Sequence, residues 1–383
     1  MAKLKKTIGN LCIIFVSVFV ALLVCEIAAR ITLNPVDYLS PKLISDDVLG
    51  IKLPPGSSGH DAWGFRNKEI VKTADIVAIG DSHTYGNTAR MSESWPSVLE
   101  KLTGKKTYNL GMGGYGPNQY AYLFETKALS LKPHTIICAI YMGDDFDNAF
   151  ELTYGLDHWK YLRTPEFPPL DTWDIWEIER NISFNKKIRN WFSRNSMIYR
   201  LTVHGIFQRT KGKYQIRHAE TLYKGTTTLI SQNENIEEAF IPKGLLDNLN
   251  QESPQVREGM RITKTILKNM NDICLTKNIS FIVIIIPTKE SVFSKYILNN
   301  NQMPLHNVLT SLIANETLAR ESLISFFNKE NIEYIDMLQA MQDAVTTERL
   351  YAYTAADMHP NNNGYRVIAE TIGKHLGNKS RDE

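Results

Sequence analysis

Ile76-Val77-Ala78-Ile79-Gly80-Asp81-Ser82-His83-Thr84-Tyr85-Gly86 is an apolar run that stops at a glycine and delivers a serine just beyond it. A short run with no polar break is a buried strand, covered on both faces. Gly80 permits a sharp exit, and the turn after it points the Ser82 hydroxyl into accessible space. In an open parallel sheet, ligands bind beyond the carboxyl ends of the strands. Asp81 and Ser82 are also ordinary turn and cap residues, so taken alone the stretch fits a reactive site and a simple turn equally.

The same rhythm extends outward. A helix follows, with Pro96 in its first turn, Trp95, Val98, Leu99 and Leu102 on one face, and Gly104 at its end. Residues 108–110 read as a second strand and lead into the glycine-rich residues 111–116. Pro117 opens a helix with Tyr120, Leu123, Phe124 and Leu129 at helical spacing, and residues 135–141 form a third strand ended by Gly143. Late in the chain, Ser253-Pro254 starts a helix whose Val256, Met260, Ile266, Leu267, Met270 and Ile273 share a face. A strand at 281–286, a helix through 318–327, a strand at 333–335 and a helix at 364–376 complete the set. Strands apolar on both faces and separated by helices predict an α/β fold with a parallel sheet covered on both sides.

The chain of 383 residues carries 43 basic against 41 acidic side chains, a net charge of +2. It has no long basic run and no zinc-knuckle or helix-turn-helix spelling, so nucleic acid is not expected as a partner. Lys3, Lys5 and Lys6 precede an apolar run over residues 8–25, broken only by Gly9, Asn10 and Ser17. At about 1.5 Å per residue this nearly crosses a hydrocarbon core of about 30 Å. The lysines favour a cytoplasmic N-terminal end with the rest exported. A cleaved signal peptide is the competing reading, but Val24-Cys25-Glu26-Ile27-Ala28-Ala29-Arg30 offers no small-x-small site, and Val24 is too bulky to precede a lipid-modified cysteine. The expectation is therefore an uncleaved single-pass transmembrane helix. Cys12 and Cys25 fall within it, and Cys138 and Cys274 read as small buried hydrophobes.

The organisation expected is a membrane anchor at 1–33, a stalk or lead-in at 34–73, a first α/β part at 74–150, an insertion at 151–252 and a second α/β part at 253–383. The insertion holds Trp159, Trp173, Trp176 and Trp191, mixed with Pro165, Pro168 and Pro169. It reads as partly helical and placed at the rim of the sheet, either as a lid burying its own aromatics or as a ligand platform.

Three further clusters carry chemistry. In Asn109-Leu110-Gly111-Met112-Gly113-Gly114-Tyr115-Gly116 the glycines allow backbone N–H groups to turn toward an anion, as an oxyanion hole requires; a dinucleotide loop is the weaker rival. Gly143-Asp144-Asp145-Phe146-Asp147-Asn148 groups three acids without a histidine and reads as a solvated loop rather than a metal site. In Asp357-Met358-His359-Pro360-Asn361 the aspartate is placed to accept from the imidazole Nδ1–H, leaving Nε2 to take a proton from a serine.

Together these blocks, in this order, resemble those of the SGNH/GDSL hydrolase family. The resemblance covers about residues 74–150 and 254–377. It implies a three-layer α/β/α sandwich with a flavodoxin-like parallel sheet, acting by acyl transfer without metal or cofactor. It also implies Ser82 as nucleophile, His359 as general base and then acid, Asp357 as its orienting partner, and the N–H groups of Ser82 and Gly114 as oxyanion donors. Two departures stand out. The family's third block has an asparagine that donates to the oxyanion where this chain has Asp144, whose role is served either by a protonated Asp144 or by Asn148. The terminal pair is spelled Asp-x-His rather than Asp-x-x-His, a spacing similar to that of exopolysaccharide O-acetyltransferases, in which the pair precedes the serine. The expected activity is that of a serine-dependent esterase or O-acyltransferase acting on an acylated glycan or lipid outside the cytoplasmic membrane. The alternative is a non-catalytic envelope binding protein on a degenerate version of the fold.

Overall fold

The computed structural model describes residues 2–170, 183–206, 212, 214–231, 236–352 and 357–382. Trp173 and Trp176 lie outside the described residues. A continuous helix, Ala2–Thr32, opens the chain, and its segment Lys6–Thr32 is long and apolar enough to cross a membrane. After it come a small antiparallel hairpin, β1 (Ile44–Asp46) and β2 (Gly50–Lys52), and then strands β3 (Ile76–Gly80), β4 (Thr107–Gly111) and β5 (Thr135–Tyr141). A second hairpin, β6 (Thr227–Ser231) and β7 (Ile236–Phe240), precedes β8 (Ser280–Ile286) and β9 (Glu333–Asp336).

Strands β4-β3-β5-β8-β9, in that spatial order, form one parallel sheet of five strands. Counted along the chain the order is 2-1-3-4-5, the flavodoxin-like arrangement of doubly wound folds. Alternate strand residues face opposite sides. Val77, Ile79, Ile136, Cys138, Ile140, Val283 and Ile285 pack with Tyr120, Ile262, Ile266 and Leu267 from the helices Pro117–Leu123 and Pro254–Thr276. Ile76, Ala78, Ile137, Ala139, Ile282 and Ile284 pack with Trp95 and Leu99 of helix Trp95–Thr103 and with Ile368 and Ile372 of helix Asn362–Asp382. This is a three-layer α/β/α sandwich. Each fully buried aliphatic side chain in these two layers contributes about 1.5–3 kcal/mol relative to exposure.

Two expectations are corrected. The stretch after the first helix does not stand away as a stalk. Leu49, Ile51, Leu53 and Phe65 join the main core, and the Ile51 and Leu49 carbonyls accept from Tyr115 Oη at 2.9 Å and Gln119 Nε2 at 3.1 Å. The acid cluster is not a solvated loop either. Asp144 occupies the N-cap position of helix Asp145–Gly155, which runs on across residue 151. Asp145 is fully buried, accepting from the Tyr141 N–H and from Tyr120 Oη, both at 2.9 Å.

Helix Asp145–Gly155 lies unusually close to helix Pro254–Thr276, because Gly259 lets the Phe146 carbonyl approach. A Cβ at Gly259 would sit 1.9 Å from that oxygen. Glycine to alanine in a helix interior ordinarily gains up to about 1 kcal/mol. Here Gly259→Ala is expected to lose about 1–3 kcal/mol through overpacking. Urea unfolding measures this, and a midpoint equal to or above that of the parent would mean the two helices have room to separate.

Candidate active site

The loops that leave β3, β4 and β5, together with the segment before the last helix, converge at the carboxyl edge of the sheet. The exit from β3 is tight. A Cβ at Gly80 would fall 2.2 Å from Thr84 Oγ1, and one at Gly111, at the end of neighbouring β4, 2.3 Å from the Tyr85 N. Only glycines at both strand ends let the turn Ser82–Tyr85 fold back onto the sheet. Asp81 caps that turn through the His83 N–H at 2.9 Å, so the cap reading and the reactive reading of this stretch hold together.

The turn brings Ser82 Oγ to 2.7 Å from His359 Nε2, and His359 Nδ1 lies 2.6 Å from Asp357 Oδ1. The same Asp357 oxygen accepts from the His359 backbone N–H at 2.9 Å, so the one-residue spacer is enough to hold carboxylate and ring together. With Nδ1–H donated to Asp357, Nε2 is the acceptor for the serine proton, the arrangement by which a hydroxyl becomes a nucleophile. Burial alone would raise the Asp357 carboxyl. The hydrogen bonds and charge of His359, with a contribution from Lys289, hold it below its ordinary value.

The glycine-rich loop supplies backbone donors beside the serine. Gly111, Gly113 and Gly116 keep the G-x-G-x-x-G spacing of a dinucleotide loop, but most of the N–H groups here are already used. Gly111 donates to Asn109 Oδ1, Met112 to the Gly80 carbonyl, Tyr115 to the Met112 carbonyl and Gly116 to Gln119 Oε1. Among the described residues, Gly113 and Gly114 N–H have no protein acceptor. Gly114 takes a left-handed φ of 76°. A Cβ at Gly113 would lie 3.7 Å from the Ser82 Cβ, which sets this turn against the hydroxyl. Two adjacent unused donors suit an oxyanion better than a pyrophosphate laid along the whole loop.

Asp144 completes the same edge. It is half-buried, but its Oδ1 is enclosed and has no hydrogen-bond partner. Burial, then the negative charge of Asp81, raise its pKa to about 7; His359 opposes this, Asp147 adds to it, and a hydrogen bond from Asn148 pulls the other way. Below that value the group is a neutral acid able to donate a proton to an anion, and above it a carboxylate that repels one. Asn148 follows one helical turn on, its backbone N–H donating to the Asp144 carbonyl at 2.8 Å.

Several neighbours were not singled out in the sequence. Asp81 Oδ2 lies 2.9 Å from His83 Nδ1 and 3.3 Å from Ser82 Oγ. Burial would raise Asp81, but His83 and His359 hold it below its ordinary value. The His83 ring stacks on Tyr141 with centroids 4.0 Å apart and stands 4.9 Å from the His359 ring. Asn87 Nδ2 is 3.5 Å from His359 Nε2. On the far side of the Asp357 loop, buried Lys289 donates to the Asp357 carbonyl at 3.2 Å and faces Glu238 of β7 at 3.9 Å. Burial raises Glu238, with Lys289 and Arg349 opposing. The insertion therefore reaches the site through Glu238. Of its described tryptophans, Trp159 is buried in the core and donates to the Val48 carbonyl, while Trp191 is exposed. A histidine next to the serine was visible as a letter; its stacking and the salt-bridged floor depend on contacts between distant segments.

No protein-family profile matches the chain, and no curated protein matches it. Solved structures do. The chain is similar to a member of the lipolytic protein G-D-S-L family from Veillonella parvula (12% identity, 78% of this chain and 94% of that one, TM-score 0.34). It is also similar to a catalytic mutant of an acetylxylan esterase from Geobacillus stearothermophilus (10%, 80% and 96%, 0.38). A third is the lipase/acylhydrolase from Enterococcus faecalis (13%, 79% and 95%, 0.35). The fold itself follows from the strand order above.

The raised Asp144 has a consequence for stability with a definite sign. Its pKa in the folded chain lies near 7 against an ordinary 3.8. As pH climbs between these values the unfolded chain ionises first, so the folded state loses stability across that window. Asp144→Asn removes the loss. The difference in melting temperature, variant minus parent, is expected to be more positive at pH 8 than at pH 4. A constant difference across the range would contradict the raised value.

Proposed function

We propose that the protein is a serine-dependent ester hydrolase or O-acyltransferase held in a membrane by its first helix, with Ser82, His359 and Asp357 as its catalytic residues. One observation carries the reading: the 2.7 Å contact between Ser82 Oγ and His359 Nε2, on an imidazole fixed from behind by Asp357. Ser82 Oγ attacks an ester carbonyl while His359 takes its proton; the alcohol departs with that proton, and an acyl-enzyme remains. Water or a second alcohol then takes the acyl group by the same steps in reverse. The oxyanion is received by the N–H groups of Ser82 and Gly114, with Gly113 beside them and protonated Asp144 as a side-chain donor.

The site acts on the extracytoplasmic side in this reading, because Lys3, Lys5 and Lys6 precede the apolar helix and favour retention of that end in the cytoplasm. The substrate is an acylated glycan or lipid of the cell envelope. Support for an acyl ester comes from the proton-transfer chain, which needs a serine nucleophile and a protonatable leaving oxygen and nothing more.

Fluorophosphonate probes bond covalently to activated serines. The full-length protein in detergent is expected to be labelled at Ser82, with labelling abolished in Ser82→Ala and reduced at least 10-fold in His359→Ala. A folded protein that resists the probe would refute the assignment. On an acetyl ester, acetate released to water marks a hydrolase, whereas acetyl appearing on an added sugar marks a transferase.

The Asp144 carboxyl gives the reaction its own pH signature. Because it is raised to about 7, activity is expected to fall as pH rises through that value and the carboxylate faces the developing oxyanion. Losing such a donor costs about 2.7–4 kcal/mol, or roughly 10²–10³ in kcat. Asp144→Asn should hold its activity on the alkaline side, and an identical alkaline limb in both proteins would assign that limb elsewhere.

A further inference from the structure

A cavity of about 600 Å³ opens beside the Ser82 turn, walled by the segment after the first helix, by residues 85–93 and by Arg200 and Leu201 of the insertion. Its volume falls within the range of small-molecule sites. Asn87 belongs both to its wall and to the reaction centre, with Nδ2 3.5 Å from His359 Nε2. We infer that this cavity is the subsite for the alcohol half of the ester, that Asn87 binds the alcohol oxygen, and that the alcohol is a polyhydroxylated one such as a sugar.

The inference rests on the proposed acyl transfer and follows from where the proton must go. When the acyl C–O bond breaks, His359 returns its proton to the alcohol oxygen, so that oxygen must lie within about 3 Å of Nε2. An oxygen placed there is within reach of the Asn87 amide, which donates to it. The carbonyl side of the ester is fixed by the loop of Gly113 and Gly114 against Ser82. Asn87 Nδ2 stands beside that loop, 4.0 Å from where a Cβ on Gly113 would sit, as well as beside the His359 ring, and the same residue lines the cavity.

The lining suits a hydroxylated ligand. Ser40, Arg90 and Glu93 bring polar side chains to the wall, and Leu39 and Leu201 provide an apolar flank of the kind a sugar ring rests on. The walls are built firmly where the fold allows. Arg66 ties the Ser82 turn to the segment after the first helix, donating to the Gly86 carbonyl at 2.6 Å and to Asp37 at 2.8 Å. Thr88 Oγ1 donates to the Pro360 carbonyl at 2.5 Å, joining the same wall to the His359 loop. The first helix is attached to the insertion near the far wall, where Glu26 accepts from the N–H groups of Met197 and Ile198 at 3.0 Å. The subsite therefore sits where the apolar helix meets the globular domain.

The test compares two esters with one acyl group, ethyl acetate and a methyl 6-O-acetylglucoside, on the full-length protein. Arg90 is exposed at the rim, so Arg90→Ala should fold; Ser40→Trp narrows the cavity, with circular dichroism as a check. The ratio of kcat/KM for the sugar ester to that for ethyl acetate is expected to fall at least 10-fold in each folded variant, mainly through KM. Asn87→Ala is expected to lower kcat at least 10-fold with both esters, since its amide meets the oxygen they share. A ratio within 2-fold of the parent in Arg90→Ala and in folded Ser40→Trp would overturn the subsite while leaving the functional reading intact. Failure of the parent to cleave either ester, with no probe labelling at Ser82, would instead remove the reading and this inference together.

Discussion

A hydroxyl on residue 82 and an imidazole on residue 359 are separated by 277 positions of chain and meet at 2.7 Å. Nothing local to either residue secures that contact. It is secured by the parallel sheet, which sends each connection back to the same starting edge and so delivers the carboxyl ends of β3, β4, β5 and β8 side by side. The glycines at the ends of β3 and β4 are where this general geometry becomes a particular site. At both positions a side chain would occupy the space into which Thr84 and Tyr85 fold. Sheet, turn and hydrogen bond thus form one chain of dependence.

The parts of the fold legible in the sequence are those set by short-range periodicity. β5 reads directly from its apolar run because both of its faces are covered, and the helix from Pro254 reads from one apolar stripe and a proline at its start. Helix Asp145–Gly155 was hidden by its own start signal. Acids in a first turn favour the positive end of a helix dipole, yet three within four residues read as a loop. The lead-in escaped because Leu49, Ile51 and Leu53 follow no helical stripe; they are half of a hairpin whose other face is the main domain. At the site, Asp357 and His359 read as a pair because two positions separate them, and Ser82 reads from the strand and glycine just before it, while their meeting is a matter of the fold. Asn87, Lys289 and Glu238 were not legible, since each matters only through a residue far along the chain.

Glu238 and Lys289 show what the insertion contributes. A carboxylate and an ammonium buried together at 3.9 Å, with Arg349 at 2.9 Å from the same carboxylate, add little net stability, because desolvation cancels most of their attraction. Their value is positional. Lys289 holds the Asp357 carbonyl, Glu238 fixes Lys289, and Arg349 binds the Glu237 carbonyl as well as Glu238, so the β6–β7 hairpin and the segment before the last helix are tied at several points. The segment that carries the aspartate behind the imidazole is consequently held by groups from the second α/β half and from the insertion.

The carboxyl at residue 144 follows the same logic of position over stability. An amide donates at every pH and costs little to bury once bonded. A carboxyl donates only while protonated, and at residue 144 it stays protonated up to about pH 7 because burial and the Asp81 charge both oppose its ionisation. Asp81 is itself held below its ordinary value against burial by His83 and, more weakly, by His359, so its charge persists beside Asp144. The two carboxyls are driven apart in pKa by the same cluster, one below its ordinary value and one above. Paired groups separated in this way divide into an acid and a base.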